Sequence, residues 1–204
     1  MYYSEFGQDQ WLEEHIFKNK RKGVFVEIGA LDGIFHSNTF FFEKERDWDG
    51  ICIEPNPTMF AELVKNRTCM KLGCAITSVY GTVDFLQIDG VLRGWSCVLQ
   101  TIECEHAQRI VERDLKRTTI SVPSFPLDKI ISTDRKIDYL SIDVEGSEKD
   151  ILLTFPIEKY DIDILEVEIN FDDDLDKLIT DKNFVFLQRL GVSNIYRNRR
   201  YLDG

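Results

Sequence analysis

Apolar residues occur along the chain in short runs, and the polar stretches between them have helical spacing. In the first half, the runs VFVEIG (24–29), GICIEP (50–55) and CMKLGCAI (69–76) alternate with the helical stretches 37–46 and 58–67. This β-α-β-α-β pattern predicts a mostly parallel sheet with helices on both faces. Strands buried on both faces are nearly all apolar, as these are.

The second half continues the pattern after one irregular region. Residues 81–88 predict a strand, and residues 101–117 predict an amphipathic helix with Ala107, Ile110, Val111 and Leu115 on one stripe. The remaining predicted elements are an extended segment 120–126, a short helix 127–131, strands 137–143, 161–170 and 184–190, and helices 147–155 and 173–182. No linker or repeat interrupts the chain, so residues 1–204 predict a single domain, with 1–20 as a helical lead-in.

The net charge of −11 disfavours binding to nucleic acid or to anionic membranes. Two basic clusters are either solvated segments or contacts for an anionic acceptor: Lys18, Lys20, Arg21 and Lys22, and Arg197, Arg199 and Arg200. No apolar run is long enough to cross a bilayer, and the first residues do not form a signal peptide. Five cysteines without a CxxC pair indicate a reducing compartment and no zinc site. We therefore expect a cytoplasmic protein without membrane insertion, or one domain of a larger protein.

In an open parallel sheet, ligands bind beyond the carboxyl ends of the strands. The first strand ends at Gly29 in the turn Gly29-Ala30-Leu31-Asp32-Gly33, where backbone can approach a ligand closely. The second strand ends at Glu54, 25 residues after Gly29. An acid at this position binds the ribose hydroxyls of an adenosine in such folds.

Both nicotinamide dinucleotides and S-adenosylmethionine contain this ribose, and the first turn discriminates between them. A dinucleotide site needs GxGxxG, whose glycines admit a pyrophosphate, whereas here Glu27 and Asp32 flank Gly29. Carboxylates repel a pyrophosphate but attract the ammonium and sulfonium groups of S-adenosylmethionine. Glu27 therefore predicts a site for the cationic methionine end, and the alternative is an acid facing solvent at a strand edge.

Five motifs in order resemble the FkbM-type family of S-adenosylmethionine-dependent methyltransferases. They are VFVEIGALDG, IEPNP, FPLDKII, IDYLSIDVEGSEKDIL and LEVEIN, and the resemblance extends over residues 4–190. It implies the class I methyltransferase (Rossmann-like) fold, usually with seven strands and an antiparallel last hairpin. SEFGQDQWL is similar to the lead-in of one branch of the family, which implies that Gln8 and Asp9 cover the cofactor.

The resemblance also assigns cofactor-binding residues. Glu27, Gly29 and Gly33 would contact the methionine part of the cofactor, and Glu54 the ribose. Ala75 and Ile76 would line the adenine, or else are ordinary core residues.

Three polar residues near the first turn have more than one interpretation. Asp32 either contacts the cofactor or caps the following helix, and Ser37 is the better candidate for a helix cap. Asn38 either shares in capping or binds the cofactor carboxylate.

Methyl transfer to a hydroxyl group needs a general base or a metal, because the hydroxyl holds its proton tightly near neutral pH. The candidate catalytic residues are Asp143, Glu145 and Glu168, with His36 as an alternative base. Crowded carboxylates raise one another's pKa, which favours a base, or they recruit a divalent cation such as Mg²⁺ or Mn²⁺ through Asp143, Glu168 and Asn170.

Two further assignments concern residues on predicted helices. The alternative role of Glu145 is to cap the helix that follows it. His15 and His106 lie in helical patterns, and we expect both on the surface.

The resemblance implies an O-methyltransferase that acts on a sugar hydroxyl, with a glycan, a glycoconjugate or a deoxyhexose as the acceptor. The alternatives are an NAD-dependent oxidoreductase or epimerase, a methyltransferase acting on a nucleic acid or another small molecule, and a noncatalytic interaction domain. The sequence specifies no oligomeric state.

Overall fold

The computed structural model describes residues 1–102, 104–169 and 173–202. The strands are β1 Val24–Ile28, β2 Asp49–Ile53, β3 Met70–Leu72, β4 Ala75–Ile76, β5 Gly81–Ile88, β6 Cys97–Val98, β7 Arg117–Phe125, β8 Ile137–Ile142, β9 Ile162–Glu168, β10 Phe184–Leu190 and β11 Ser193–Asn198. The α-helices are α1 Gln8–Leu12, α2 Phe40–Arg46, α3 Pro57–Asn66, α4 Cys104–Glu112, α5 Glu148–Thr154 and α6 Asp173–Asp181. Short 3-10 helices cover Gly90–Trp95, Leu127–Lys129, Ile157–Lys159 and Arg199–Tyr201, and a π-helical turn, Glu13–Phe17, extends α1.

The main sheet has seven strands in the order β10-β11-β9-β8-β1-β2-β3. The pairs from β9 to β3 are parallel, whereas β11 runs antiparallel to both β9 and β10. This confirms the mostly parallel sheet and its antiparallel last hairpin. The chain order reverses between β1 and β8, and a ligand site is expected beyond the carboxyl ends of these two strands.

Helices cover the sheet on two faces because neighbouring residues of each strand point to opposite sides. Val26 packs in a core with Ile151 of α5 and Ile179 of α6. Its neighbour Phe25 packs in the opposite core with Leu12 of α1 and Phe42 of α2. All six residues of β8 are buried, which explains why this strand has no alternation of apolar and polar residues.

A second, four-stranded sheet has the order β4-β7-β5-β6. The apolar run 69–76 does not form a single strand: β3 pairs with β2, whereas β4 pairs with β7 in the second sheet. The run divides at Gly73, between β3 and β4. An apolar run shows that a segment is buried, but it does not show which strand will be its neighbour.

The other differences occur at element ends. The helix expected over 101–117 ends at Glu112, and Arg117 already belongs to β7. The sequence analysis did not predict β11, because its segment SNIYRN is largely polar. Ser193, Asn194 and Asn198 are nevertheless buried. No helix among the described residues is long and apolar enough to cross a membrane.

Candidate active site

A cavity of about 200 Å³ lies at the carboxyl edge of the main sheet. Gly29, Glu54, Asp143 and Glu168, which follow or end β1, β2, β8 and β9, line one side. The second sheet lines the other side with residues that include Ala75, Ile76, Phe85 and Val98. The strand ends predicted from sequence therefore meet around one space, and the unpredicted second sheet closes it.

Gly29 is a point of close backbone approach. Its φ is +89°, and a Cβ atom built on it would lie 1.7 Å from the carbonyl oxygen of Asp143. No side chain fits there, so glycine allows the turn after β1 to touch the end of β8. This contact brings Asp143 to the edge of the cavity.

Glu54 is 3% exposed, and its two carboxylate oxygens are held by backbone amides. Leu31 N–H donates to Oε2 at 2.9 Å, and Asn56 N–H donates to Oε1 at 2.7 Å. A carboxylate has about four acceptor positions, so these bonds leave capacity for two hydroxyl groups. Burial raises the pKa of Glu54 to about 7, although the two amide bonds oppose this rise.

Glu27 also lines the cavity, but its carboxylate is surrounded by donors from the protein. Ser37 Oγ, the Asn38 backbone N–H and Thr39 Oγ1 donate to it at 2.7–3.0 Å. Arg67 Nη1 lies 3.1 Å from its Oε2. The charge of Glu27 is thus balanced inside the protein, which gives the acid in strand β1 a structural role.

Arg67 is a residue that the sequence analysis missed. Its side chain is fully buried, and besides Glu27 it pairs with Glu43 at 2.5 Å. It also donates to the carbonyl oxygen of Gly33 at 3.2 Å. A lone arginine at the end of a helix gives no signal in sequence that it will be buried between two acids.

Asn38 is buried beside the cavity with one oxygen unused. Its Nδ2 donates to Ser141 Oγ at 3.0 Å and to Glu166 Oε1 at 3.2 Å. Among the described residues, its Oδ1 has no hydrogen-bond partner. A buried acceptor without a partner costs free energy, and a ligand N–H or O–H group would relieve that cost. Neither Ser37 nor Asn38 is the N-cap of α2, which is Thr39, although Ser37 Oγ accepts the N–H of Phe40 at 3.1 Å.

Asp143, Glu145 and Glu168 converge as the sequence predicted. Each offers a carboxylate oxygen, and these oxygens lie within 4.8 Å of one another. Asn170, the remaining metal ligand suggested by the sequence, lies outside the described residues. The N-cap of α5 is Ser147 and not Glu145, and no side-chain capping hydrogen bond is made there. Glu148 binds the backbone N–H groups of Val144 and Gly146 in the preceding loop at 2.8 and 2.9 Å.

Burial raises the pKa of all three carboxyl groups, and that of Glu145 and Glu168 rises further because of the charge of Asp143. A hydrogen bond between Asp143 and Glu168 lowers the pKa of Asp143 and raises that of Glu168. Because the three groups interact, the charge on one of them keeps protons on its neighbours to higher pH.

His36 and Glu5 lie together at the mouth of the cavity. His36 has a left-handed backbone with φ of +56°, and its Nδ1 is 3.3 Å from Glu5 Oε2. Glu5 was not singled out in the sequence, although it belongs to the lead-in that was expected to cover the cofactor. The lead-in thus reaches the cavity through Glu5.

Four predicted cofactor contacts lie behind the cavity wall and not on it: Gln8, Asp9, Asp32 and Gly33. Asp9 is fully buried and accepts the Tyr3 backbone N–H and the Ser4 hydroxyl at 2.6 Å each, so it shapes the lead-in.

The other three residues also hold local structure. Gln8 Nε2 donates to Ser193 Oγ at 3.3 Å. Asp32 accepts the backbone N–H groups of Ile34 and Phe35 at 3.0 and 2.8 Å, which forms a turn and not a helix cap. A Cβ atom on Gly33 would lie 2.6 Å from side-chain atoms of Leu63 and Arg67.

The expectation that His106 lies on the surface is wrong, since it is 4% exposed. Its Nε2 lies 3.0 Å from the carbonyl oxygen of Trp95, and its Nδ1 lies 3.5 Å from Oε2 of Glu145. His15 is exposed, as expected.

The basic clusters contact acids of the same chain. Lys20 lies 2.6 Å from Asp138, and Arg21 lies 2.5 Å from Asp47. In the C-terminal cluster, Arg197 pairs with Asp163 at 3.1 Å, and Arg200 pairs with Asp161 at 2.9 Å. These ion pairs favour the interpretation of solvated segments over that of an anion-binding surface.

Comparison with known proteins identifies the family. The profile of the methyltransferase FkbM domain matches residues 27–191. The chain belongs to the FkbM methyltransferase family. This match starts at Glu27 and includes Glu54, Asp143, Glu145 and Glu168. No curated protein sequence matches the chain significantly.

A solved structure with the family name has a similar fold. A methyltransferase FkbM from Methylobacillus flagellatus is similar with a TM-score of 0.53 and 16% identity, over 88% of this chain and 44% of that protein. The chain thus spans less than half the length of that relative. A SAM-dependent methyltransferase from Aquifex aeolicus aligns with a TM-score of 0.44 and 11% identity, over 95% of this chain and 90% of that one. The fold is that of the class I S-adenosylmethionine-dependent methyltransferases.

Proposed function

We propose that the protein transfers a methyl group from S-adenosylmethionine to a hydroxyl group of a sugar, as part of a glycan, a glycoconjugate or a free deoxyhexose. The observation that carries this proposal is the meeting of Glu54 with Asp143, Glu145 and Glu168 around one cavity. One carboxylate suits the ribose of the donor, and the other three suit a hydroxyl acceptor.

The donor end of the cavity fits S-adenosylmethionine. Glu54 has acceptor capacity for the two ribose hydroxyls, and the unpaired Oδ1 of Asn38 suits an ammonium N–H. Ala75 and Ile76 are buried apolar residues of the cavity wall and suit the adenine face. Gly29 keeps backbone close to the ligand without a side chain in the way.

When bound, S-adenosylmethionine supplies an electrophilic methyl carbon on a sulfonium, and the protein must position and deprotonate the acceptor. We take Asp143 as the general base, because its hydrogen bond with Glu168 favours the ionised form. It would accept the proton that the acceptor hydroxyl group loses on methylation, and the donor would leave as S-adenosylhomocysteine. Glu168 forms a hydrogen bond with Asp143, and Glu168 and Glu145 would hold the acceptor in position.

A divalent cation is the second route to activation. The oxygens of Asp143, Glu145 and Glu168 lie close enough to share Mg²⁺ or Mn²⁺, both of which prefer oxygen ligands. Methyl transfer measured after chelation and after return of Mg²⁺ separates the routes. The base mechanism predicts full activity in the chelator, and the metal mechanism predicts activity only with the cation.

Calorimetry with S-adenosylhomocysteine and with NAD tests the donor. We expect micromolar binding of S-adenosylhomocysteine and none of NAD, because the turn Gly29-Ala30-Leu31-Asp32-Gly33 lacks the GxGxxG glycines that admit a pyrophosphate. Tight NAD binding without a response to S-adenosylhomocysteine would favour the oxidoreductase or epimerase instead.

A transfer assay with methyl-labelled S-adenosylmethionine tests the acceptor. The panel contains methyl glycosides, including methyl α-L-rhamnopyranoside, together with nucleotide sugars, oligosaccharides and a mixed RNA. We expect label in a neutral glycoside or oligosaccharide and none in RNA, because the cavity is acidic and the basic clusters are ion-paired. Label in RNA alone would replace the sugar proposal with a nucleic-acid methyltransferase.

A further inference from the structure

Three buried polar side chains form a row across the main sheet next to Asn38. The strand register places Glu27 of β1 beside Ser141 of β8, and Ser141 beside Glu166 of β9. Residues paired directly across neighbouring strands point to the same face, so these three side chains lie on one side of the sheet. Asn38 makes a hydrogen bond with each of them, and three strands therefore set its position.

These contacts orient the side-chain amide of Asn38. Its backbone N–H donates to Glu27 Oε1 at 2.7 Å. Its Nδ2 donates to Ser141 Oγ at 3.0 Å and to Glu166 Oε1 at 3.2 Å. Both partners of the amide are oxygens, so they hold its NH₂ end and leave Oδ1, which has no partner in the part of the chain that the structure describes. Since Asn38 lines the cavity, this orientation offers a ligand an acceptor and not a donor.

Glu166 does not line the cavity, and three donors surround its carboxyl group. Asn38 Nδ2 donates to its Oε1, and the Tyr139 hydroxyl donates to its Oε2. The Ser193 side chain is hydrogen-bonded to the same carboxyl group. Ser193 Oγ accepts Gln8 Nε2 at 3.3 Å, which leaves the Ser193 hydrogen for Glu166. Two oxygens thus serve three donors, and one of these donors is the amide of Asn38.

The donor molecule makes the orientation of this amide important. The methionine end of S-adenosylmethionine carries an ammonium group, which only donates hydrogen bonds. The Oδ1 atom of Asn38 can accept one of them, whereas an NH₂ group in its place could not. Glu27 is a poorer partner for the ammonium group, because its carboxylate already accepts bonds from three donors and pairs with Arg67.

We propose that Glu166 is a positioning residue for the donor, which holds the Asn38 amide so that Oδ1 meets the ammonium group. This inference rests on the proposed use of S-adenosylmethionine. Glu166 touches neither donor nor acceptor, and it acts through Asn38.

Two ligands that differ only in the ammonium group test the inference. They are S-adenosylhomocysteine and its desamino analogue, in which hydrogen replaces the α-amino group. Glu166→Gln keeps the shape of the side chain but has one oxygen for the three donors, so the hold on the Asn38 amide weakens. Asn38→Ala removes the acceptor itself. Glu158→Gln is the matched control, because Glu158 is mostly exposed.

Calorimetry gives the ratio of the two affinities in each variant. Wild type should bind S-adenosylhomocysteine at least tenfold more tightly than the desamino analogue. We expect Glu166→Gln and Asn38→Ala each to lower this ratio at least threefold. The affinity for the desamino analogue should stay within twofold of wild type, because only the ammonium contact is lost. Glu158→Gln should keep the wild-type ratio.

The double variant Asn38→Ala with Glu166→Gln shows whether Glu166 acts through Asn38. We expect its ratio within twofold of that of Asn38→Ala alone, because an amide that is absent cannot be misplaced. A purely structural role of Glu166 would instead weaken both ligands alike, or would lower the ratio again in the double variant.

Four results would overturn the inference and leave the proposed function standing. They are a wild type that binds S-adenosylhomocysteine without preference, a wild-type ratio in Glu166→Gln, an equal loss of both ligands in that variant, and a further loss in the double variant. If Glu166→Gln does not fold, Ser141→Ala removes the other oxygen bound by Nδ2, and an unchanged ratio there has the same meaning. Failure of wild type to bind S-adenosylhomocysteine would count against the proposed function itself.

Discussion

At the scale of residues, the acids of this protein divide into two groups that the sequence does not distinguish. Glu27 is paired with buried Arg67 and accepts three hydroxyl or amide donors, so its charge serves the fold. Glu54 accepts only backbone N–H groups and keeps acceptor capacity facing the cavity. Both end up buried, but only the second has free lone pairs for a ligand.

Substitution of Glu54 tests this division. We expect Glu54→Gln to weaken binding of S-adenosylhomocysteine at least tenfold, which is about 1.4 kcal/mol, because the amide cannot accept at both ends. Glu62→Gln, an exposed change on α3, should leave the affinity within twofold of wild type. Calorimetry measures both, and equal affinities in the two variants would remove Glu54 from the donor site.

At the scale of elements, the site depends on close contact between the end of β1 and the end of β8. Gly29 allows this contact, and it has a matched control in Gly90. Both have similar positive φ values of +89° and +86°, but a Cβ atom on Gly90 would meet nothing within 4 Å. A difference in stability between alanine variants at the two positions therefore measures the contact of residue 29 with the end of β8, because the backbone strain is similar at both positions.

We expect Gly90→Ala to cost about 1–2 kcal/mol of unfolding free energy, the strain of a left-handed alanine. Gly29→Ala should cost more than about 3 kcal/mol or prevent folding, because its Cβ would overlap the carbonyl oxygen of Asp143. Urea denaturation measures both values. Similar costs would mean that the two strand ends can separate without penalty.

At the scale of the whole molecule, the chain buries many carboxyl groups around and beneath one cavity. Burial raises the pKa of Glu54 and Glu148 to about 7 and that of Glu166 to about 8, from 4.5 for an ordinary glutamate. Between these values the folded protein binds more protons than the unfolded chain. Their stabilising contribution is complete below about pH 4.5 and is lost as the pH rises through 7 to 8.

The free energy of unfolding of the ligand-free protein should therefore fall from pH 5.5 to pH 8.5. Glu166→Gln should reduce the loss of unfolding free energy at the upper end of this pH range, because glutamine does not titrate. Glu158→Gln, a change at a mostly exposed side chain, should leave the slope as in wild type. Chemical denaturation at three pH values measures the slope, and a rise in stability over this range would contradict the assignment.

Local sequence patterns predict the alternation of strands and helices in the main sheet apart from β11, its parallel arrangement and the strand ends where acidic residues occur. These follow from local patterns, because apolar runs, helical spacing and turn residues depend on neighbours along the chain. The sequence also identified Glu54, Asp143, Glu145 and Glu168 as residues at strand ends, and the structure brings these four to one cavity.

Only the tertiary structure decided which side chains face the cavity and which are satisfied inside the protein. The second sheet, the burial of Arg67 and His106, and the turn that brings Glu5 to the cavity all depend on contacts between residues far apart in sequence. The fold determines which side chain lies next to a given acid, and the pattern of apolar and polar residues does not predict that contact.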